Sequence, residues 1–315
     1  MSAFGVTVVG EALVDVVHRP GQPVSRSPGG SPANVALGLA RLGTTATLLT
    51  SIGADNDGRL VRDHLSREGV WVVDVGRPGA RTSTATATVD RYGVASYRFD
   101  LSWDVGALML PTGTAVLHVG SLGATLPPGD AHVLELVRAT AQDERVLISF
   151  DPNVRPSVTP DRVVQMTRVL EMAQHAHLIK CSEEDAAFLF PHMSIPDVAE
   201  VFLRLGCAEL VMVTQGARGS FIATHADRFE TPGVPVTVVD TVGAGDAYMA
   251  GLLSGLTQCG AVSPCDLQQL ARSSSPAIGD VVRRATLVAA LTCTRPGADP
   301  PTEQLLARRV TCADG

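Results

Sequence analysis

Lysine is almost missing from this 315-residue chain: of 25 basic residues, Lys180 is the only one that is not arginine. The arginines are scattered, the formal net charge is −7, and no basic stripe is available to phosphates. A nucleic-acid partner is therefore not expected. Cysteine occurs six times, at Cys181, Cys207, Cys259, Cys265, Cys293 and Cys312, but never as Cys-x-x-Cys. A chain this long has no need of a disulfide framework, so free thiols and a cytoplasmic setting are expected. No apolar run reaches the roughly 18 residues of a membrane span, and no membrane partner is expected. The N-terminus lacks a basic segment, and Glu11 and Asp15 follow early, so it does not read as a signal peptide. Two nucleotide motifs are missing as well. There is no Gly-x-x-x-x-Gly-Lys-Ser/Thr loop, and no Gly-x-Gly-x-x-Gly after the first strand with an acidic residue about 20 positions on. Walker-type hydrolases and dinucleotide oxidoreductases lose their support with them.

What is present is ordinary for a globular enzyme: 45% hydrophobic and 18% charged residues. Apolar runs predict strands at 4–10, 46–51 and 70–75, with helical spacing between them. Ser31 and Pro32 open one helix, with Ser31 as its expected cap, and Gly43 stops it. The stretch 82–100 is different: small and polar residues alternate around Arg91-Tyr92-Gly93, which predicts a hairpin outside the main core. The Pro/Gly-rich segment before Pro28 is read as joining it. From 115 onward the rhythm is regular, with strands at 115–119, 146–151, 176–180 and 210–214 and helices between. That rhythm implies an α/β fold with a mostly parallel sheet covered by helices on both faces. No internal repeat or long linker breaks it, so residues 1–315 read as one domain, with a β lid from about 12–28 and 82–104.

The segment Asp240-Thr241-Val242-Gly243-Ala244-Gly245-Asp246 carries the chemistry. The β-branched run 234–239 predicts a strand leading into a glycine-bounded turn that opens a helix. Exposed amide N–H groups and the positive helix end make such a turn an anion site. A carboxylate beside a bound anion is repelled unless it is aimed at a hydroxyl it deprotonates. The competing reading is that Gly243 and Gly245 only shape a turn and Asp246 caps the helix. On these residues alone the two stand level. Other segments add weight: Asp151, Ser182 and Thr214 also fall at the carboxyl ends of expected strands, where α/β folds gather ligands.

Gly29-Gly30-Ser31-Pro32-Ala33-Asn34-Val35-Ala36 and Asp240 to Gly251 resemble the two signatures of the ribokinase-like, or PfkB, family of carbohydrate kinases. The resemblance covers nearly the whole chain and implies the ribokinase-like fold. It also implies ATP-dependent phosphoryl transfer to a sugar hydroxyl, with Mg²⁺. It makes Asp246 the base and the amides of Gly243, Ala244 and Gly245 the donors to the transferring group. It places Asp15, Gly30, Asn34, Arg98 and Arg155 at the sugar. Thr214-Gln215-Gly216-Ala217-Arg218-Gly219 resembles the nucleotide loop, which assigns Thr214, Gly216, Gly219 and Ser182 to ATP. Ser182-Glu183-Glu184-Asp185 stands where the family has Asn-x-x-Glu, which points Asp185 toward the metal. Asp240, with carbonyls near Thr292 and Arg295 to Ala298, matches a potassium site.

Asp151-Pro152-Asn153-Val154-Arg155 is similar to a segment of fructokinases and 2-keto-3-deoxygluconate kinases. Ser31, where ribokinases usually carry lysine, also favours fructokinases. Fructose phosphorylation at a primary hydroxyl is thus the leading expectation, ahead of 2-keto-3-deoxygluconate and ribose. A nucleoside would want an aromatic slot, and aromatics are only 4% of the chain. Arg155 reads equally as a ligand contact or a structural ion-pair residue. A non-catalytic sugar sensor on the same fold is the reading of another class. A homodimer through the lid is a further expectation from the resemblance.

Overall fold

Inner-strand residues of this chain feed two apolar cores in alternation, which explains why the strands read as continuous hydrophobic runs. In the computed structural model, residues 5–90, 95–272 and 276–313 are described. In chain order the strands are β1 Gly5–Val9, β2 Leu13–His18, β3 Ser25–Gly29, β4 Thr45–Thr50, β5 Trp71–Asp74, β6 Ser83–Val89 and β7 Ala95–Asp100, followed by β8 Thr114–Gly120, β9 Leu147–Asp151, β10 Leu178–Ser182, β11 Leu210–Thr214, β12 Gly219–Thr224 and β13 Arg228–Pro232. Val8, Leu48, Val116 and Leu147 point into one core, while Val9, Leu49, Leu117 and Ile148 point into the other. Helices Ser31–Arg41, Ala244–Gln258 and Pro276–Thr292 cover the first face. Helices Gly129–Thr140, Arg162–Ala173 and Ile195–Leu205 cover the second.

The main sheet runs β13-β12-β11-β10-β9-β8-β1-β4-β5. It is parallel from β11 to β5, as expected, and ends in two antiparallel strands that the sequence reading did not anticipate. A second sheet, β3-β2-β6-β7, is built from the hairpin and the segment after β1. The turn expected at Arg91 to Gly93 lies outside the described residues. Trp103, inside the range read as lid, belongs to the main body instead: it is buried and donates to the Gly123 carbonyl at 2.9 Å. No helix among the described residues is long and apolar enough to cross a membrane.

Two local expectations fail for clear reasons. Residues 234–239 form no strand. Pro235 cannot donate to a ladder, Val234, Val238 and Val239 are exposed, and the chain instead bonds from Val239 N–H to the Cys293 carbonyl at 2.8 Å. Ser31 is the first residue of its helix and not the cap: Gly30 holds that place at φ 102° with no side-chain cap. A first carbon on Gly30 would lie 2.6 Å from the Glu11 carbonyl oxygen, so only glycine fits. The Ser31 hydroxyl is thereby released for the site.

Candidate active site

The helix Ala244–Gln258 carries Asp246 in its first turn, and its last twelve residues but one are buried on every side. Small residues make this possible. A first carbon on Gly38 of the Ser31–Arg41 helix would sit 2.6 Å from the Ala250 Cβ, so the two helices touch backbone to side chain. That contact brings the two sequence signatures together. Ser31 Oγ donates to Asp246 Oδ1 at 2.6 Å, and Asn34 Nδ2 donates to Oδ2 at 2.8 Å. Asn153 Nδ2 donates in turn to Ser31 Oγ at 2.7 Å, and Arg155 donates to Asn153 Oδ1 at 2.5 Å. Asn153 takes φ 36°, a strained value for a non-glycine residue, to hold that place. Arg155 therefore braces the loop after β9, also reaching the Asn153 and Val154 carbonyls.

No side chain caps the helix at Gly243, which adopts the left-handed conformation at φ 76°. Ala244 N–H, expected among the anion donors, is spent on the Thr241 carbonyl at 3.2 Å. The Gly245 and Asp246 amides have no acceptor among the described residues. They remain free for an anion at the positive end of the helix.

Beneath this turn lies a buried ionic group. Lys180 Nζ donates to Asp151 Oδ2 at 2.8 Å, with both side chains 3% exposed. Burial pushes Asp151 up to about 6, with Asp185 and Asp246 adding to the rise and Lys180 opposing it. Burial disfavours the lysine's charge too, but Asp151, Asp185 and Asp246 outweigh that and raise it above an ordinary lysine. Ser182 caps the Glu183–Leu189 helix in a reciprocal box with Asp185. Asp185 Oδ2 accepts from Ser182 N–H and Oδ1 from Val154 N–H, each at 2.8 Å. Its first job is thus to lock the β9 loop to the β10 helix, leaving only spare lone pairs for a metal.

On the second sheet, Asp15 is partly buried and burial raises its carboxyl above the usual range. Strand register places Asp15, Ala85 and Phe99 together and Val16, Thr86 and Arg98 together. Side chains alternate along a strand, so Arg98 lies on the opposite face from Asp15 and is not brought to the other candidates. Reading the sequence missed Glu11. It is buried, accepts from Gly123 N–H at 2.8 Å, and burial pushes it up to about 7. An acidic residue directly after a buried strand was the available signal.

Thr214 and Ser182 are register partners at the carboxyl ends of β11 and β10. Gly216 and Gly219 bound a short helical turn between β11 and β12, at φ 57° and 107°. Asp240 accepts from Val242 N–H at 3.0 Å and Gly297 N–H at 2.8 Å, which hold it below the usual carboxylate range. It thereby joins the turn to the 293–299 loop.

An ionic cluster, an uncapped helix end and a hydroxyl-facing carboxylate are the elements of phosphoryl transfer to an alcohol. Comparison with known proteins agrees. Residues 4–305 match the pfkB family carbohydrate kinase. Fructokinase-1 of Oryza sativa subsp. japonica is 31% identical over 315 residues, spanning 95% of this chain and 92% of that relative. A fructokinase double mutant from Vibrio cholerae O395, solved with fructose, ADP and potassium ion, superposes with TM-score 0.80 at 29% identity over 98% of both chains. The ATP-bound fructokinase of Xylella fastidiosa gives TM-score 0.86 at 24% identity over 100% of both, a likeness in fold alone. The chain belongs to the pfkB family of carbohydrate kinases. The family and the ribokinase-like fold read from the two signatures are borne out.

Proposed function

We propose that this carbohydrate kinase transfers the γ-phosphoryl group of ATP to a primary hydroxyl of fructose. The observation that carries the reading is Asp246: a buried carboxylate, held by Ser31 and Asn34, in the first turn of a helix with no side-chain cap. Asp246 takes the proton from the sugar hydroxyl, and the freed electron pair attacks the γ-phosphorus. The bond from that phosphorus to its bridging oxygen breaks, and ADP leaves with the pair. The turn amides, chiefly those of Gly245 and Asp246, receive the charge on the transferring group. Asp15, Gly30 and Asn34 hold the sugar, and Arg155 acts by bracing Asn153. Thr214, Gly216, Gly219 and Ser182 line the nucleotide side.

Fructose is favoured by fructokinase relatives at about 30% identity across most of the chain and by the Asp151-Pro152-Asn153-x-Arg155 segment. Among the described residues no cluster of three His, Cys, Asp or Glu would hold a metal unaided. This donor set fits Mg²⁺, which is normally carried by one or two carboxylates, waters and nucleotide phosphates. The spare lone pairs of Asp185 are the protein oxygens it has to offer. When bound, the ion neutralises phosphate charge. Potassium at Asp240 and a homodimer through the second sheet complete the reading. Rate activation over a large organic cation, and mass in solution, check them.

The test is ADP release from ATP and Mg²⁺ across fructose, 2-keto-3-deoxygluconate, ribose, glucose and adenosine, with Asp246→Asn as blank. Fructose should be the strong responder, and the variant should bind both substrates but turn over neither. A strong response to another sugar replaces the substrate. Substantial turnover by Asp246→Asn removes the base.

A further inference from the structure

The one lysine of the chain sits at the centre of the site, where no signature assigned a role. Its ammonium is 3% exposed and has three N–H donors, yet Asp151 Oδ2 is its one hydrogen-bond acceptor among the described residues. A first carbon built on Gly245 would lie 3.1 Å from Nζ, the one heavy atom within 4 Å beyond its chain neighbours and its own helix's backbone. The cation thus lies on the side-chain face of Gly245, in the turn whose amides are free. Glycine at 245 has a second reason beyond backbone shape: it admits the ammonium. The charged and titratable groups around Nζ come from every packed element. They are Asp151 on β9, His118 on β8, Cys181 beside the lysine on β10, Asp185 on the Glu183–Leu189 helix, and Asp246 and Tyr248 on the Ala244–Gln258 helix. Burial and the lysine charge keep His118 neutral, pushing it down to about 3. Three buried carboxylates face one fixed cation.

We propose that Lys180 is a positioning residue for phosphoryl transfer: clamped by Asp151, its ammonium fixes a positive charge behind the Gly243-Ala244-Gly245 turn and balances the carboxylates around Asp246. The charge serves the transferring group through the turn and leaves sugar and nucleotide affinity largely untouched. This inference rests on the kinase reading of the site.

A chain with one lysine allows a direct test. Lysine labelled with ¹³C at Cε gives a single side-chain resonance. Addition of ADP with Mg²⁺ to the wild-type protein should shift that resonance, because the phosphates enter the turn in front of the ammonium. An unmoved resonance at saturating ADP overturns the proposal. The second arm is Lys180→Met combined with Asp151→Asn, which removes both charges and leaves neither buried alone. Its kcat should fall at least tenfold, with KM for fructose and ATP within threefold of wild type. A smaller fall in kcat, or a loss carried by KM, overturns the proposal. Should the double variant fail to fold, the labelled wild type still decides. Absence of wild-type turnover with every sugar would instead strike the kinase reading, which the resonance shift does not depend on.

Discussion

Ser31→Ala is the most telling single change at the site. The wild-type hydroxyl donates to Asp246 Oδ1 at 2.6 Å and accepts from Asn153 Nδ2 at 2.7 Å, so one oxygen joins the base to the loop braced by Arg155. Buried hydrogen bonds to a charged group contribute roughly 1.5–3 kcal/mol. If that support acts on the reacting geometry, kcat falls by about 10- to 100-fold, at about 1.4 kcal/mol per factor of ten. Asn153 Nδ2 also loses its acceptor, which costs about 1–3 kcal/mol of stability and lowers the melting temperature. The assay is coupled ADP release at saturating fructose and ATP, beside a thermal melt. Ser31→Thr keeps the hydroxyl and serves as control. If Ser31→Ala holds kcat within twofold, the relay from Arg155 to Asp246 has no part in catalysis.

Two other outcomes follow from the geometry. Glu11 is raised by burial from 4.5 to about 7, so the folded state binds the extra proton between these values. Stability therefore falls as pH rises through that window, by on the order of 3 kcal/mol. Glu11→Gln should flatten the denaturation midpoint across pH 5–8, and parallel curves for the two proteins would refute the assignment. Gly243→Ala meets a φ of 76° and places its Cβ 2.5 Å from that of Ala298. The left-handed conformation alone costs about 1–2 kcal/mol, so both melting temperature and kcat should drop. Wild-type turnover in this variant would mean the 293–299 loop yields freely.

Much of the fold was legible because its signals are local. Valine-rich runs, helix spacing and the terminal glycines Gly43 and Gly69 reflect residue-by-residue physics, and the strands they marked are where expected. The run 234–239 misled because β-propensity was read without its proline, and because exposure on both sides leaves no partner. The antiparallel strands β12 and β13 were missed because the reversal of the chain between β11 and β12 depends on positive φ values that only Gly216 and Gly219 announce. At the site, residue types pointed to Asp246 and Asn34, but not to their contact, since 212 positions separate them. Ser31 looked like a cap because Ser-Pro at a helix start usually is one. Its true use was set by Gly30, whose contact with the Glu11 carbonyl is a tertiary fact. Arg98 fell away for a similar reason: pleat parity is decided by register, and a one-residue shift exchanges the faces.

The placement of Lys180 reaches beyond catalysis into how the protein can be handled. With its sole ε-amine buried in β10, the folded surface carries no lysine for acylating dyes or glutaraldehyde to capture. A lysyl endopeptidase has one cleavage point, and cutting there would split the chain into pieces of 180 and 135 residues (315 less 180). That bond lies within the middle strands of a nine-stranded sheet, closed to a protease until the sheet itself opens. A single band becoming two would therefore count opening of the sheet, molecule by molecule, with no label added.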